Sequence, residues 1–323
     1  MDYFANYGLF FAKVATSVIA LLVLMAGSMV IVLKGKEKSK QKLEIKPLHE
    51  KLDEFSETMS EAILSKKEFK KFQKNKKIEN KSEKKDKKRI FILNFQGDIR
   101  ASNLSSFQEE ITAVLTIAKP SDEVLVKVES AGGMVHAYGL AASQLDRIKK
   151  QNIFLTVAVD KIAASGGYLM ACVADKIIAA PFAIIGSIGV VAQIPNFHRL
   201  LKKNDIDFEQ VTAGEYKRTL TVFGENTESA KKKFQEELNE IHHCFKDFVS
   251  EHRRVLEINK VATGEHWLAS KAKEFQLVDE LMTSEDYLMG ASKNCDLYEV
   301  SYTQKKSWIT KIFQDFRKSL MFF

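Results

Sequence analysis

An α/β fold is what this sequence predicts, on three observations. Strand-like and helix-like segments alternate from Ile90 onward. Several strand-like segments, "IFILNF" and "IFLTVAV" among them, are apolar on both faces, the pattern of strands covered by helices on each side. The chain has 323 residues, is 45% hydrophobic and holds four prolines, enough for one large domain with an accessory segment.

The elements follow in chain order. Residues 14–33, "VATSVIALLVLMAGSMVIVL", are twenty positions without a charge, bracketed by Lys13 and by Lys34, Lys36 and Lys38. At about 1.5 Å per residue such a helix spans a hydrocarbon core of about 30 Å. No small-residue cleavage site precedes the lysines, so the segment reads as a transmembrane anchor within an N-terminal region 1–33. Residues 34–89 read as a lysine-rich linker. Leu48, Leu52, Phe55, Met59 and Ile63 recur at helical spacing, and 70–89 reads as solvated and flexible.

The folded domain is expected over 90–285. Strands are predicted at 90–95, 123–130 and 153–160, with a further strand at "KIIAAP". Helices are predicted over "NLSSFQEEITAVLTIA", "VHAYGLAASQLDRIKKQ" and "SGGYLMACVA", then over 228–256 and 284–293, while 264–281 gives a short helix, a turn and a strand-like end. The uncharged run 177–197 is interrupted by Pro181, Gly186, Gly189 and Pro195, and its β-branched residues favour buried strands over a second membrane span. The tail, 286–323, carries Trp308, Ile309, Ile312, Phe313, Phe316 and Leu320 on one helical face among basic residues. It suits a membrane surface or packing on protein equally.

Composition excludes several classes. The net charge of +7 is concentrated between Lys66 and Arg89, and lysine exceeds arginine throughout, which argues against a nucleic-acid partner. Cys172, Cys244 and Cys295 form no CxxC pair, and no HxxxH or HExxH occurs, so neither a metal nor a disulfide framework is expected. No glycine-rich phosphate loop is present, and no cofactor is expected.

Four stretches carry a family likeness: "ESAGGMVHAYG" at 129–139, "DKIAASGGYLMACVADKIIA" at 160–179, "IIGSIGVV" at 184–191 and "TAGEYKRTLTVFGENTE" at 212–228. In this order they resemble the S49 serine peptidases, which include signal peptide peptidase A, and in particular a membrane-anchored bacterial branch. "GEHWLASKAKEFQLVDEL" resembles the family's closing motif, with Phe275 and Gln276 where a glycine is usual. Ala131 stands where many members have proline. The resemblance implies a ClpP/crotonase-like domain of repeated ββα units. It implies proteolysis by a Ser/Lys dyad, with Ser165 as nucleophile, Lys217 as general base, Ser187 supporting Lys217, and oxyanion donors at Gly133, Gly132 or Gly166. It implies a homo-oligomer acting on peptide or protein substrates, such as remnants of signal peptides, at the bacterial inner membrane. The family's domain is generally periplasmic, whereas the lysines after the anchor favour the cytoplasm; the lean is to the periplasm.

The residues agree with that chemistry. A serine hydroxyl is a weak nucleophile until a neighbouring base takes its proton. Lysine serves as that base only when kept neutral by burial. Alanines and glycines around Ser165 leave room for a peptide carbonyl, and glycines at 132 and 133 let the backbone approach it. Taken singly, Ser165 is a tight packing contact, Lys217 an exposed lysine, Ser187 a turn, and His136 and His198 ordinary surface residues. Two other functions fit the same sequence: a catalytically silent membrane scaffold, and a crotonase-like acyl-CoA enzyme.

Overall fold

The computed structural model describes residue 8 and residues 10–22, 42–82 and 87–303. Two compact units emerge. The larger runs from Glu44 to Ser301 and the smaller joins 1–43 with 302–323. In the smaller unit, residues 10–22 are helical (α1) with exposed side chains. Among the described residues no helix is long and apolar enough to cross a membrane. Residues 23–33, the second half of the expected anchor, lie outside the described residues, as do 304–323 of the tail.

The larger unit is built on one ten-stranded sheet. Its main path runs β1 (Lys42–Pro47), β10 (Cys295–Thr303), β2 (Lys88–Gly97), β3 (Glu123–Ser130), β4 (Phe154–Val159), β6 (Lys176–Ala179) and β9 (Glu280–Leu281). From β10 to β9 every neighbouring pair is parallel. Three short strands branch off: β5 (Ile162–Ala164), β7 (Ile184–Gly186) and β8 (His266–Leu268). β3 pairs with β4 over Glu123–Lys127, then with β5 through Ser130 and Ala163. The sheet therefore forks at the carboxyl end of β3, where ligands of open parallel sheets bind.

Both faces of the sheet are covered, which explains the continuous apolar runs. Phe91, Leu93, Phe95, Val124 and Val126 join the larger core, with Phe107 and Ile111 of α4 (Leu104–Leu115) and Tyr138, Leu145 and Ile148 of α5 (Val135–Lys150). Ile90, Ile92 and Leu125 face the other way, onto Leu288 of α11 (Ser284–Ala291) and Leu48 and Leu52 of α2 (Leu48–Ile63). Each fully buried side chain of this size contributes about 1.5–3 kcal/mol. Phe95 meets Phe107 and Tyr138 edge-on, with centroids 5.1 and 6.2 Å apart.

The structure corrects the sequence reading in two places. Lys66–Ser82 is a helix, α3, where a flexible stretch is expected from residue 70. It is polar almost all round and lies along α2, with Lys76 paired to Asp53 at 3.3 Å and Gln73 to Glu57 at 3.4 Å. The sheet also extends past both ends of the expected domain, through β1 and β10.

Candidate active site

Ser165 stands between β5 and the short helix α6 (Gly166–Ala171). Its φ of 51° puts a non-glycine residue in the left-handed region, at a cost of about 1–3 kcal/mol that the surroundings must offset. Two backbone bonds hold it there: its N–H donates to Gly186 O at 2.8 Å, and its carbonyl accepts from Leu169 N at 2.9 Å. α6 is buried behind it. Tyr168 is fully buried, and its hydroxyl donates to Leu277 O at 3.1 Å. Ser165 itself is only half-buried, so its hydroxyl is reachable.

The glycine turn after β3 packs directly on this corner. A side chain at Gly132, whose φ is +90°, would come within 2.7 Å of Gly166 N and 2.8 Å of Ser165 Cβ. One at Gly133 would strike the Ile99 carbonyl at 2.1 Å, and one at Gly166 the Tyr138 ring at 2.4 Å. The four amides differ in what they do. Gly132 N–H donates to Ser130 Oγ at 3.0 Å, and Ser165 N–H is engaged with Gly186. The N–H groups of Gly133 and Gly166 have no backbone or side-chain acceptor among the described residues.

Ser187 enters through the same bond that fixes the Ser165 corner. It follows Gly186, whose carbonyl holds Ser165 N–H. Its own φ is 53° and its N–H donates to Glu265 O at 2.6 Å. β8 pairs antiparallel with β7 and presses Trp267 onto Gly186, where a Cβ would sit 2.9 Å from the indole. The structure thus brings Ser165, Ser187, Gly132, Gly133 and Gly166 to one corner.

Lys217 is placed differently. It lies in the exposed stretch 191–218, in a turn where its N–H donates to Gly214 O at 3.2 Å. Its side chain is exposed and lines a surface cavity of about 720 Å³ together with Val211, Leu220 and Phe223. Ser165 lines another cavity, of about 460 Å³. Neither of these two cavities is lined by both residues.

The Ser165 cavity also shows what sequence reasoning missed. Its walls include Val135, Leu169, Val190 and Val191, and also Glu240, Ile241, Cys244, Phe245 and Phe248 of α8 (Glu228–His252). The sequence shows α8 as an apolar stripe, but a stripe alone does not distinguish a core-facing helix from the wall of a cleft. Val249 of α8 is buried, and Phe245 and Phe248 both pack against the core and line the cavity, so the stripe does both. The carboxyl end of α8 is locked by Arg253, 6% exposed, which donates to Asp279 at 2.9 and 3.0 Å and to Gln276 O at 2.6 Å. Among the described residues no cluster of three His, Cys, Asp or Glu side chains is arranged to hold a metal.

Comparison with known proteins shows the family. Residues 2–145 match the model of the peptidase family S49 N-terminal region, and 147–297 that of peptidase family S49. The chain is 49% identical to "Probable protease SohB" of Haemophilus influenzae, over 96% of this chain and 92% of that protein. It is 46% identical to a protein of the same name from Buchnera aphidicola subsp. Schlechtendalia chinensis, over 90% and 99%. It is 29% identical to "Putative signal peptide peptidase SppA" of Enterococcus faecium, over 57% and 54%. A reachable serine on a strained corner, set among glycine amides, thus occurs in a chain whose two halves both match one peptidase family: the chain belongs to peptidase family S49.

Proposed function

We propose that this peptidase is a membrane-anchored serine endopeptidase of ClpP/crotonase-like architecture that uses Ser165 as nucleophile and Lys217 as general base. The observation that carries the reading is the corner at Ser165: a reachable hydroxyl, two amides beside it without acceptors among the described residues, and an apolar cavity in front. A peptide carbonyl over Ser165 would be attacked by Oγ, and the developing oxyanion would receive the N–H groups of Gly133 and Gly166. Such donors are worth about 2.7–4 kcal/mol each in the transition state. The Gly132 N–H serves the turn instead, through Ser130. The apolar cavity walls support aliphatic or other apolar side chains before the cut, as in fragments of membrane-derived or signal peptides. Backbone groups of Gly189–Val191 make no backbone hydrogen bonds among the described residues, an edge on which an extended substrate can lie.

The base reaches Ser165 through assembly. Val191, Phe197, Leu200, Ile206, Phe208, Val211 and Phe223 are exposed in the segment that carries Lys217, Val211 at 96%. Exposed apolar surface on this scale marks a protein contact. A homo-oligomer that covers this segment would bring Lys217 of one copy into the Ser165 cavity of the next, where burial removes its charge and Ser187 supports it. The apolar residues 14–33 would hold the assembly at the bacterial inner membrane, with the peptidase domain on the periplasmic face.

The reading is tested with purified full-length protein, a library of apolar peptides and a fluorophosphonate probe. Cleavage and probe attachment at Ser165, both lost in Ser165→Ala, support it. Cleavage that survives Ser165→Ala sinks it. A reporter fused at the carboxyl end tests the side of the membrane.

A further inference from the structure

Ser130 and Tyr138 take no part in the chemistry proposed above, yet they form one buried hydrogen-bonded chain that ends on the glycine turn. Tyr138 is 0% and Ser130 2% exposed. The Tyr138 hydroxyl donates to the Asp98 carbonyl at 2.8 Å. With that hydrogen on Asp98, the Ser130 hydroxyl hydrogen lies between the Tyr138 oxygen at 2.5 Å and the Gly97 carbonyl at 3.3 Å. Ser130 Oγ in turn accepts Gly132 N–H at 3.0 Å. At the far side of the turn, Met134 N–H donates to Ile99 O at 2.8 Å. Both flanks of Gly133 are thereby tied to the 98–99 loop, while the Gly133 N–H has no acceptor among the described residues.

The ring of Tyr138 does a second job. A Cβ on Gly166 would meet its Cγ at 2.4 Å, so the ring is the surface on which Gly166 rests. A Cβ on Gly97 would lie 2.4 Å from the Tyr138 hydroxyl oxygen and 2.6 Å from Ser130 Oγ, which closes the pair in from behind. One side chain therefore touches Gly166 with its ring and controls the Gly132–Gly133 turn with its hydroxyl. Burial also pushes the Tyr138 phenol up from its ordinary value, which keeps the hydrogen it donates to Asp98.

We propose that Tyr138, acting through Ser130, is a positioning residue that sets the spacing and direction of the Gly133 and Gly166 N–H groups around the oxyanion. The inference rests on the serine peptidase reading and deepens it. Oxyanion donors work only within about 2.7–3.1 Å of the charged oxygen, and small misplacement of a reacting group costs up to about 10²-fold in rate. The Tyr138 ring lines the apolar cavity, but Tyr138→Phe keeps that ring and removes only the hydroxyl that ties the turn. The effect therefore falls on kcat and spares KM.

The test uses the full-length protein with Tyr138→Phe, which keeps the ring and removes the hydroxyl, with Ser130→Ala, and with the double variant. Rates are counted per active site by fluorophosphonate titration, so that any loss of folded protein is divided out. The expected result is a fall in kcat of about 10–100-fold with KM within about threefold. The double variant should be no slower than the worse single one, because both break the same chain. Per-site kcat at the wild-type level in Tyr138→Phe overturns the inference, as does a multiplicative loss in the double variant. These outcomes are distinct from failure of the underlying reading, in which the wild type itself is unlabelled at Ser165 and Ser165→Ala cleaves normally; that result removes both.

Discussion

The backbone around Ser165 and the backbone around Lys217 are held in opposite ways. Ser165 is fixed by strand β5, by the Gly186 carbonyl, by the buried helix α6 and by glycines packed too closely to admit a side chain. Lys217 is fixed by one turn bond and stands in a segment exposed at almost every position from Val191 to Arg218. The first region is complete within one chain. The second has its polar bonds satisfied locally, as where Asn196 donates to Thr221 O and Gly224 O at 2.9 Å, while its apolar side chains remain uncovered. Backbone strain and burial are concentrated where Ser165 must not move, and the surface around Lys217 is left open, as the proposed assembly requires.

Ser165→Ala should give the largest effect, a loss of about 10³-fold or more in kcat with normal thermal stability, measured by peptide turnover. Unchanged turnover would remove the first half of the contrast altogether. Lys217→Ala should cost about 10²–10⁴-fold, the range for a general base. Mixing unfolded Ser165→Ala and Lys217→Ala subunits and refolding them together should then restore turnover, since intact sites form where one copy supplies the serine and the other the lysine. If the mixture stays silent while each wild-type control refolds, the two regions meet within one chain.

Gly132→Ala should fail on the rigid side alone. The added methyl meets backbone at 2.7 Å and the φ of +90° is strained for alanine. Loss of turnover should come with a lower melting temperature, whereas Gly214→Ala, also at positive φ but with nothing nearer than 3.9 Å, should cost only about 1 kcal/mol. Equal destabilisation at both sites would show that the two regions are equally constrained.

The smallest effect lies far from both. Asp122 is 3% exposed; burial alone would raise its carboxyl, but Arg89 at 2.5 Å and the Lys119 N–H at 2.8 Å outweigh that and hold it below the ordinary value of 3.8. A carboxyl depressed in the folded state stabilises above its unfolded pKa, and that contribution is lost as pH falls through the lowered folded value. Acid unfolding should therefore steepen below about pH 3.8, and Asp122→Asn should blunt it while lowering neutral stability by about 1–3 kcal/mol. Turnover per folded molecule should be unchanged.

Much of this architecture is legible in the sequence because local patterns carry it. The strand 123–130 and the helix that begins at Val135 are found where periodicity puts them, and the small residues around Ser165 and Gly132 mark places where only glycine fits. What escapes is set by distant partners. β10 is half polar and is a strand because it lies beside β2. α3 has no apolar stripe, so its helix is invisible to periodicity. The role of α8 depends on which wall its stripe faces, and the exposure of Lys217 depends on what covers it. Neither is written in the spacing of residues.

The fork at Ser130 has an evolutionary consequence. The Ser165 corner is anchored in the ladder β3–β5–β7, whereas the arm between Val191 and Asn226 leaves and returns without entering the sheet. The Ser165 corner and the arm that carries Lys217 are thus separate in the sheet, and grafting a relative's arm, with its own lysine at the position of Lys217, onto this scaffold should preserve probe attachment at Ser165 while changing which peptides are cut. Diversification of cleavage preference within such a lineage would then proceed by rewriting one excursion of the chain.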